Sequence, residues 1–213
     1  MAEKPATREA DHRPDDPASE AEGAEAPMRD QPGSAAAVLI IDMVNSFAFE
    51  GGEALERRAG GIVDAVCGLR DAARVAGLPV IYVNDNFGQW HSERGRIVAE
   101  AAARSPIAAR LAPGDDDYYI IKPQLSGFYA TGLPILLPKL GVRRLVLAGL
   151  ATDQCVLFTA ADAHMRDYAL WVPEDAVAAA DAHRHQAALA IMREGLGART
   201  EPCTLPALKR WVP

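Results

Sequence analysis

The segment RRLVLAGLATDQCVLF, residues 143–158, changes from a continuous apolar run to a helical pattern within a few residues. Its first half is typical of a strand that is buried on both faces of a parallel sheet. Residues 154–166 have helical character, so Cys155 stands where this helix begins. A buried strand followed at once by a helix is the repeating unit of α/β proteins. We therefore predict an α/β domain with a cysteine just beyond the carboxyl end of a strand.

The rest of the chain from residue 35 repeats this alternation of strands and helices. Apolar runs predict strands at 35–43, 79–85, 118–123, 143–150 and 168–173, and a short sixth strand at 198–200. Helical spacing predicts helices at 55–77, 132–141, 154–166, 182–195 and in the last residues. Alternating elements with mostly apolar strands predict a parallel sheet with helices on both faces.

Composition limits the classes of partner and compartment. The chain has 213 residues, 49% of them hydrophobic, and a net charge of −7 without a basic region, which disfavours nucleic acid and anionic membranes as partners. Residues 1–34 carry nine acidic and four basic residues but no Val, Ile, Leu or aromatic residue, so we predict a disordered acidic tail before a domain at 35–213. No apolar run reaches the ~20 residues of a membrane span. Three cysteines and no secretory signal predict a cytoplasmic protein.

Three chemically active side chains stand at predicted strand ends. Asp42 ends the first strand, Lys122 ends the third, and Cys155 follows the fourth. Parallel strands bring their carboxyl ends to one edge of the sheet, so we expect these side chains to lie together. A helix N-terminus and a nearby ammonium group favour a thiolate, and a carboxylate can accept the thiol proton. Each residue alone is compatible with a structural role, but the combination indicates a nucleophilic site.

Three segments carry a resemblance to a known family. VLIIDMVNSF (38–47), IIKPQLSGFYAT (120–131) and GLATDQCVLFTAADAHMRDYALWVPEDA (149–176) resemble the motif blocks of the isochorismatase-like cysteine hydrolases, which include nicotinamidases, N-carbamoyl and ureide amidohydrolases, and isochorismatases. The resemblance implies a three-layer αβα, Rossmann-like fold with six parallel strands. It also implies that Asp42 is the general base, that Lys122 stabilises and orients, and that Cys155 attacks a carbonyl carbon.

The same resemblance extends to the turn before Cys155 and to metal binding. It implies a cis peptide bond between Leu150 and Ala151, and an oxyanion hole formed by the N–H groups of Ala151 and Cys155. Nicotinamidases of this superfamily bind a metal through an Asp and histidines after the second strand. Here VNDNFGQWHSERG (83–95) offers Asp85 and a single histidine, His91. We therefore predict no metal and no cofactor.

Aromatic and amide side chains near the strand ends are candidates for substrate contacts. Phe47, Trp90 and Phe128 are candidate walls of a cavity, with core packing as the alternative. Asn84 and Asn86 are candidate polar contacts to the substrate, with loop-stabilising turns as the alternative.

These features predict a cysteine hydrolase that cleaves a small amide, carbamoyl or ureide C–N bond through a thioester. One alternative is a vinyl-ether hydrolase of the isochorismatase type, in which the aspartate works without the cysteine. Another is a non-catalytic binding protein on the same fold. The predicted partner is a small-molecule substrate, and we expect a homo-oligomer, either a dimer or a tetramer.

Overall fold

A computed structural model of the chain describes residues 35–88, 90–91 and 93–212, so the predicted tail at 1–34 lies outside the described residues. The strands are β1 Ala36–Ile41, β2 Val80–Asp85, β3 Tyr118–Lys122, β4 Arg144–Leu150, β5 Ala169–Trp171 and β6 Val177–Ala178. The helices are α1 Gly52–Val75, α2 Arg94–Arg104, α3 Pro106–Arg110, α4 Leu133–Lys139, α5 Leu157–His164, α6 Ala182–Ala190 and α7 Leu205–Trp211. Two π-helical turns flank these helices, Thr152–Val156 before α5 and Ile191–Gly195 after α6.

The strands form one parallel sheet, in the order β3-β2-β1-β4-β5, and β6 pairs with the end of β4. The registers align the carboxyl ends of the strands, since Ile41 pairs with both Val83 and Gly149 and Asp85 pairs with Lys122. The chain continues from β1 toward β2 on one side and returns to β4 on the other. The strand order therefore reverses beside β1. In open sheets of this kind, ligands bind outside the carboxyl ends of the strands at the place where the order reverses.

Helices cover both faces of the sheet, which confirms the predicted three-layer α/β fold. Helices α1, α2, α3 and α7 pack on one face, against the alternate strand residues that include Val38 and Ile40. Helices α4, α5 and α6 pack on the other face, against the intervening residues that include Leu39 and Ile41. Because β1 is covered on both sides, all six of its residues are buried, as the continuous apolar run requires.

The sixth strand differs from the prediction at 198–200. Strand β5 ends at Trp171, which leaves the edge of β4 open near Gly149 and Leu150, and β6 pairs there instead. Within the predicted segment, Arg199 makes a single parallel bridge to Trp171. The backbone hydrogen bonds at this edge join Arg199 and Thr200 to the segment from Leu170 to Glu174, which is too short a pairing to form the predicted strand.

Helices α2 and α3 were not predicted. Helix α2 begins after Glu93, whose carboxylate accepts hydrogen bonds from the N–H groups of Gly95 and Arg96 and so caps the first turn. Its Ile97 and Ala101 pack against the sheet. Among the described residues, no helix has the length and apolar character that crossing a membrane requires.

Candidate active site

Asp42, Lys122 and Cys155 meet at the carboxyl edge of the sheet, where their strand positions placed them. Lys122 Nζ lies 2.9 Å from Asp42 Oδ2 and 3.3 Å from Cys155 Sγ. The Lys122 side chain has no exposed surface, so its charge depends on these partners. The structure thus joins the three side chains through one buried ammonium group, and their catalytic roles stay a prediction.

Asp85 is a fourth member of this cluster. Its Oδ2 lies 3.3 Å from Lys122 Nζ, and its backbone N–H donates a 2.8 Å hydrogen bond to Asp42 Oδ1. The N–H of Phe87 donates a 2.6 Å hydrogen bond to the other Asp85 oxygen. In the sequence-based prediction, Asp85 was only a candidate metal ligand. Its pairing register opposite Lys122 is the signal that places it in the cluster.

The cluster has pKa values that follow from its burial. Burial raises the pKa of Asp42, although the Lys122 charge and a hydrogen bond from Cys155 oppose this. Burial works to lower the pKa of Lys122, but the Asp42 carboxylate and the Cys155 sulfur outweigh it, and this pKa is raised. Burial, followed by the Asp42 charge, raises the pKa of Cys155 to about 12, against the opposing effect of Lys122. Burial thus favours the thiol over the thiolate, in the opposite direction to the expectation from the helix N-terminus and Lys122.

The turn between β4 and Cys155 has a regular backbone. The described residues contain no cis peptide bond, so the expected cis bond between Leu150 and Ala151 is not found. The chain turns by other means: Gly149 has φ +114°, and β4 remains paired with β6 through Leu150. The carbonyl of Ala151 then accepts hydrogen bonds from the N–H groups of Gln154, at 3.0 Å, and Val156, at 3.1 Å. Ala151 and Cys155 both line the cavity described below, and an oxyanion hole formed by their N–H groups stays a prediction.

The N-terminal half of α6 supports this turn. Thr152 Oγ1 and His185 Nδ1 form a 2.9 Å hydrogen bond, and Asp153 forms a 2.7 Å ion pair with Arg184. Burial lowers the pKa of His185, which favours the neutral imidazole. The hydrogen bond between Thr152 and His185 depends on how α6 packs, which the local sequence does not reveal.

A cavity of about 560 Å³ opens beside the cluster. Its lining includes residues at and just after the ends of β1, β2 and β4, namely Asp42, Asn45, Ser46, Ala48, Phe49, Asp85, Asn86, Phe87, Leu150, Ala151, Gln154 and Cys155, together with Leu55 of α1 and a face of α2. This volume suits a small organic molecule.

The two predicted amide contacts differ in position. Asn86 lines the cavity, and its Oδ1 accepts a 2.9 Å hydrogen bond from the N–H of Gly88. Asn84 is buried away from the lining. Its amide group bonds both the N–H and the carbonyl of Val44, at 3.2 and 3.0 Å, and ties the end of β2 to the segment after β1. Asn84 thus has the structural role rather than a place beside a ligand.

The predicted aromatic walls are not the observed ones. Phe47 and Phe128 lie in the cores on opposite faces of the sheet, and Trp90 is 79% exposed and outside the lining. Phe49 and Phe87 line the cavity instead. After a strand ends, the chain changes direction within one or two residues, so side chains that are close in sequence come to face opposite ways, one into the core and one into the cavity.

The described residues contain no group of three or more His, Cys, Asp or Glu side chains arranged to hold a metal. Asp85 is engaged by Lys122 and by the N–H of Phe87. His91 lies in the exposed segment after β2. The residues present therefore do not fit the metal site of the nicotinamidases.

Comparison with known proteins identifies the family. The family model described as the isochorismatase domain matches residues 36–202. The chain belongs to the isochorismatase family. It is 40% identical to the uncharacterised isochorismatase family protein YaaI of Bacillus subtilis (strain 168), over 75% of this chain and 90% of that protein. It is 27% identical to the ureidoacrylate amidohydrolase RutB of Methylorubrum extorquens, with 79% of each chain covered.

A solved structure supports the same relationship. The N-carbamoylsarcosine amidase of Thermoplasma acidophilum superposes with a TM-score of 0.60 at 31% identity, over 78% of this chain and 95% of that one. Amidohydrolases are thus among the relatives of this isochorismatase family member, which supports hydrolysis as its general chemistry.

Proposed function

We propose that the protein hydrolyses the C–N bond of a small amide, carbamoyl or ureide compound through a thioester on Cys155. One observation carries the proposal. Lys122 Nζ contacts both the Cys155 sulfur, at 3.3 Å, and the Asp42 carboxylate, at 2.9 Å, beside a cavity that the thiol lines. The names of two relatives, a ureidoacrylate amidohydrolase and an N-carbamoylsarcosine amidase, support the same bond type.

The reaction begins with a neutral thiol. As Cys155 Sγ attacks the substrate carbonyl, its proton passes to Asp42, and the carbonyl π-electrons move to oxygen. The N–H groups of Ala151 and Cys155 bind this oxyanion. When the tetrahedral intermediate collapses, the C–N bond breaks and Asp42 returns the proton to the leaving nitrogen, which departs as ammonia or an amine.

The second half of the reaction uses the same groups. Asp42 accepts a proton from water, and the hydroxide formed attacks the thioester carbonyl. The C–S bond then breaks, and the sulfur takes the proton back from Asp42. The products are the acid or carbamate and the original thiol.

The buried charges explain why the proton moves between these two atoms. A preformed thiolate would add a third negative charge beside the buried Asp42 and the partly exposed Asp85, with a single ammonium group to compensate all three. Transfer from Cys155 to Asp42 instead exchanges one anion for another while Lys122 stays within 3.3 Å of both sites. The number of charges in the cluster is constant throughout.

The test is the release of ammonia from a panel of small amides and ureides. Cys155→Ala should reduce turnover to background, and Asp42→Asn should reduce it by roughly 10²–10⁴-fold. The double variant should be scarcely worse than Cys155→Ala, because the two residues act on one proton. Cys67→Ala, on α1 and outside the cavity lining, is the matched control and should retain full turnover.

Two outcomes would contradict the proposal. Substantial turnover in Cys155→Ala would eliminate the thioester and favour a reaction in which Asp42 acts without the cysteine, as in the vinyl-ether alternative. No hydrolysis of any panel member by the wild-type protein would favour the binding-protein alternative.

A further inference from the structure

One wall of the cavity is a charged face of α2. Arg96, Glu100 and Arg104 follow one another at intervals of four residues, so they lie on the same side of the helix, and all three line the cavity. Ile97 and Ala101 line the cavity beside them and also pack α2 against the sheet, which holds this side of the helix toward the cavity.

The two arginines have no protein partner among the described residues. No hydrogen bond or ion pair of the Arg96 or Arg104 side chain is present there, whereas nearby arginines are engaged. Arg94 donates a 2.6 Å hydrogen bond to the carbonyl of Gly114, and Arg110 forms a 2.7 Å ion pair with Asp64. Arg96 and Arg104 therefore keep their guanidinium donors available to a ligand.

The cavity thus has two ends of opposite charge. Asp42 and Asp85 flank Lys122 at the sheet edge, so that end has an excess of one negative charge. The α2 wall, with two arginines and one glutamate, has an excess of one positive charge. A ligand that fits both ends donates N–H groups to the first and presents an anion to the second. The planar guanidinium group matches a carboxylate through two parallel hydrogen bonds.

We propose that the substrate is an amide or ureide that also carries a carboxylate, and that Arg96 and Arg104 bind this carboxylate while the scissile carbonyl lies at Cys155. The inference rests on the proposed function for the reaction at Cys155. The arginines are specificity-determining residues and take no part in proton transfer. They raise the affinity for carboxylate-bearing substrates over neutral ones of the same size.

The experiment measures binding without turnover, by calorimetry on Cys155→Ala protein. The ligands are N-carbamoyl derivatives of glycine, β-alanine and 4-aminobutanoate, and the neutral primary amides of the same three acids. Each carboxylate ligand that fits should bind more tightly than its amide. Adding Arg96→Gln or Arg104→Gln should weaken carboxylate binding by about tenfold, as loss of a charged hydrogen-bond donor does, and should change amide binding by less than about twofold.

Two further variants act as controls. Arg193→Gln makes the same charge change at a half-exposed side chain that follows α6, on the other face of the sheet, and should leave both ligand series unchanged. Glu100→Gln removes the negative charge between the arginines and should strengthen carboxylate binding. Thermal unfolding of each variant verifies that the fold is retained.

The outcomes separate this inference from the proposed reaction. Equal affinity for carboxylates and amides, an equal loss of both in the arginine variants, or no binding of any carboxylate ligand would overturn the inference. Arginine-dependent binding of a carboxylate ligand that the wild-type protein does not hydrolyse would support the inference and contradict the proposed function. Hydrolysis of neutral amides but not of carboxylate ligands, at a rate that Arg96→Gln leaves unchanged, would support the proposed function and contradict the inference.

Discussion

The protonation state of Cys155 can be measured through the pH dependence of stability. The variant is Cys155→Ser, which keeps a small hydroxyl group in place of the thiol but does not titrate below pH 12. In the folded protein the thiol pKa is about 12, against 9.0 for an ordinary cysteine. The folded state therefore holds a proton that the unfolded state releases above pH 9. This stabilisation is fully present below pH 9 and is lost as the pH rises toward 12.

The size of the effect follows from the same two values. A difference of three in pKa corresponds to about 4 kcal/mol over the whole window. At pH 10, ionisation of the unfolded thiol alone removes RT ln(1 + 10), about 1.4 kcal/mol. The free energy of unfolding of the wild type should fall by this amount relative to Cys155→Ser between pH 7 and pH 10. Titrating groups that do not touch Cys155 are shared by the two proteins and cancel in the difference.

The assay is urea unfolding followed by tryptophan fluorescence at pH 7, 8, 9 and 10, under reducing conditions. A second variant, Cys203→Ser, should show a difference of the same sign, because burial and the Asp175 charge raise the pKa of Cys203 to about 11. A wild type that instead gains stability over Cys155→Ser as the pH rises would mean that the thiol ionises more readily in the folded state. That result would refute a reaction that starts from a neutral thiol.

Three other perturbations have defined outcomes. Lys122→Met leaves two carboxylates without their shared cation and should lower the free energy of unfolding at pH 7 by about 3–5 kcal/mol, measured by urea unfolding. Adding Asp42→Asn should recover part of this loss, whereas equal stability to the wild type would contradict the buried ion pair. Gly149→Ala places a Cβ 2.1 Å from the backbone oxygen of Ile41, at a residue with φ +114°, so it should lower the free energy of unfolding by more than about 2 kcal/mol and also lower turnover. Wild-type stability and turnover in this variant would show that β1 and β4 are less closely packed. Treatment with a chelator should leave turnover unchanged, and a loss restored by zinc would reveal a metal site that the described residues do not form.

The meeting of Asp42, Lys122 and Cys155 could be predicted because it needs only the order and direction of the strands. A parallel sheet aligns its carboxyl ends whatever the distance along the chain, and the apolar runs mark those ends clearly. The same logic extends to Asp85, which pairs with Lys122 in the sheet. The place of Asp85 in the cluster could therefore also have been predicted from the order of the strands.

The cavity walls could not be predicted in the same way. Phe47 and Phe49 are two residues apart, yet Phe47 is 6% exposed in the core while Phe49 lines the cavity and is 48% exposed. Which of the two faces the cavity depends on the left-handed backbone at Phe47, φ 53°, and aromatic residues carry no local signal for that conformation. The charged wall on α2 had a detectable signal, namely Glu93 as a cap followed by Ile97 and Ala101 at helical spacing.

The backbone around the site shows how the carboxylates are held. Asp42 and Phe87 have φ values of 52° and 50°, a left-handed conformation that is unfavourable for side chains other than glycine by roughly 1–2 kcal/mol. Such residues persist only where the surrounding contacts determine them. At Asp42 those contacts are the backbone bond to the Val83 carbonyl, the N–H of Asp85 on Oδ1 and Lys122 on Oδ2. At Phe87 the contact is the N–H donated to the Asp85 carboxylate.

Both strained residues therefore serve the orientation of an acid. With one oxygen fixed by a backbone N–H and the other by Lys122, the Asp42 carboxylate cannot rotate away from the sulfur as charge develops during the reaction. An acid held in this way needs little reorganisation to exchange a proton with a thiol of high pKa, and preorganisation of this kind is a main source of catalytic stabilisation. A carboxylate that only capped a turn would have no need of the second, buried contact to Lys122. The buried contact to Lys122, rather than a backbone conformation that Phe47, Ala130 and Asp167 share, supports the proposed role of Asp42.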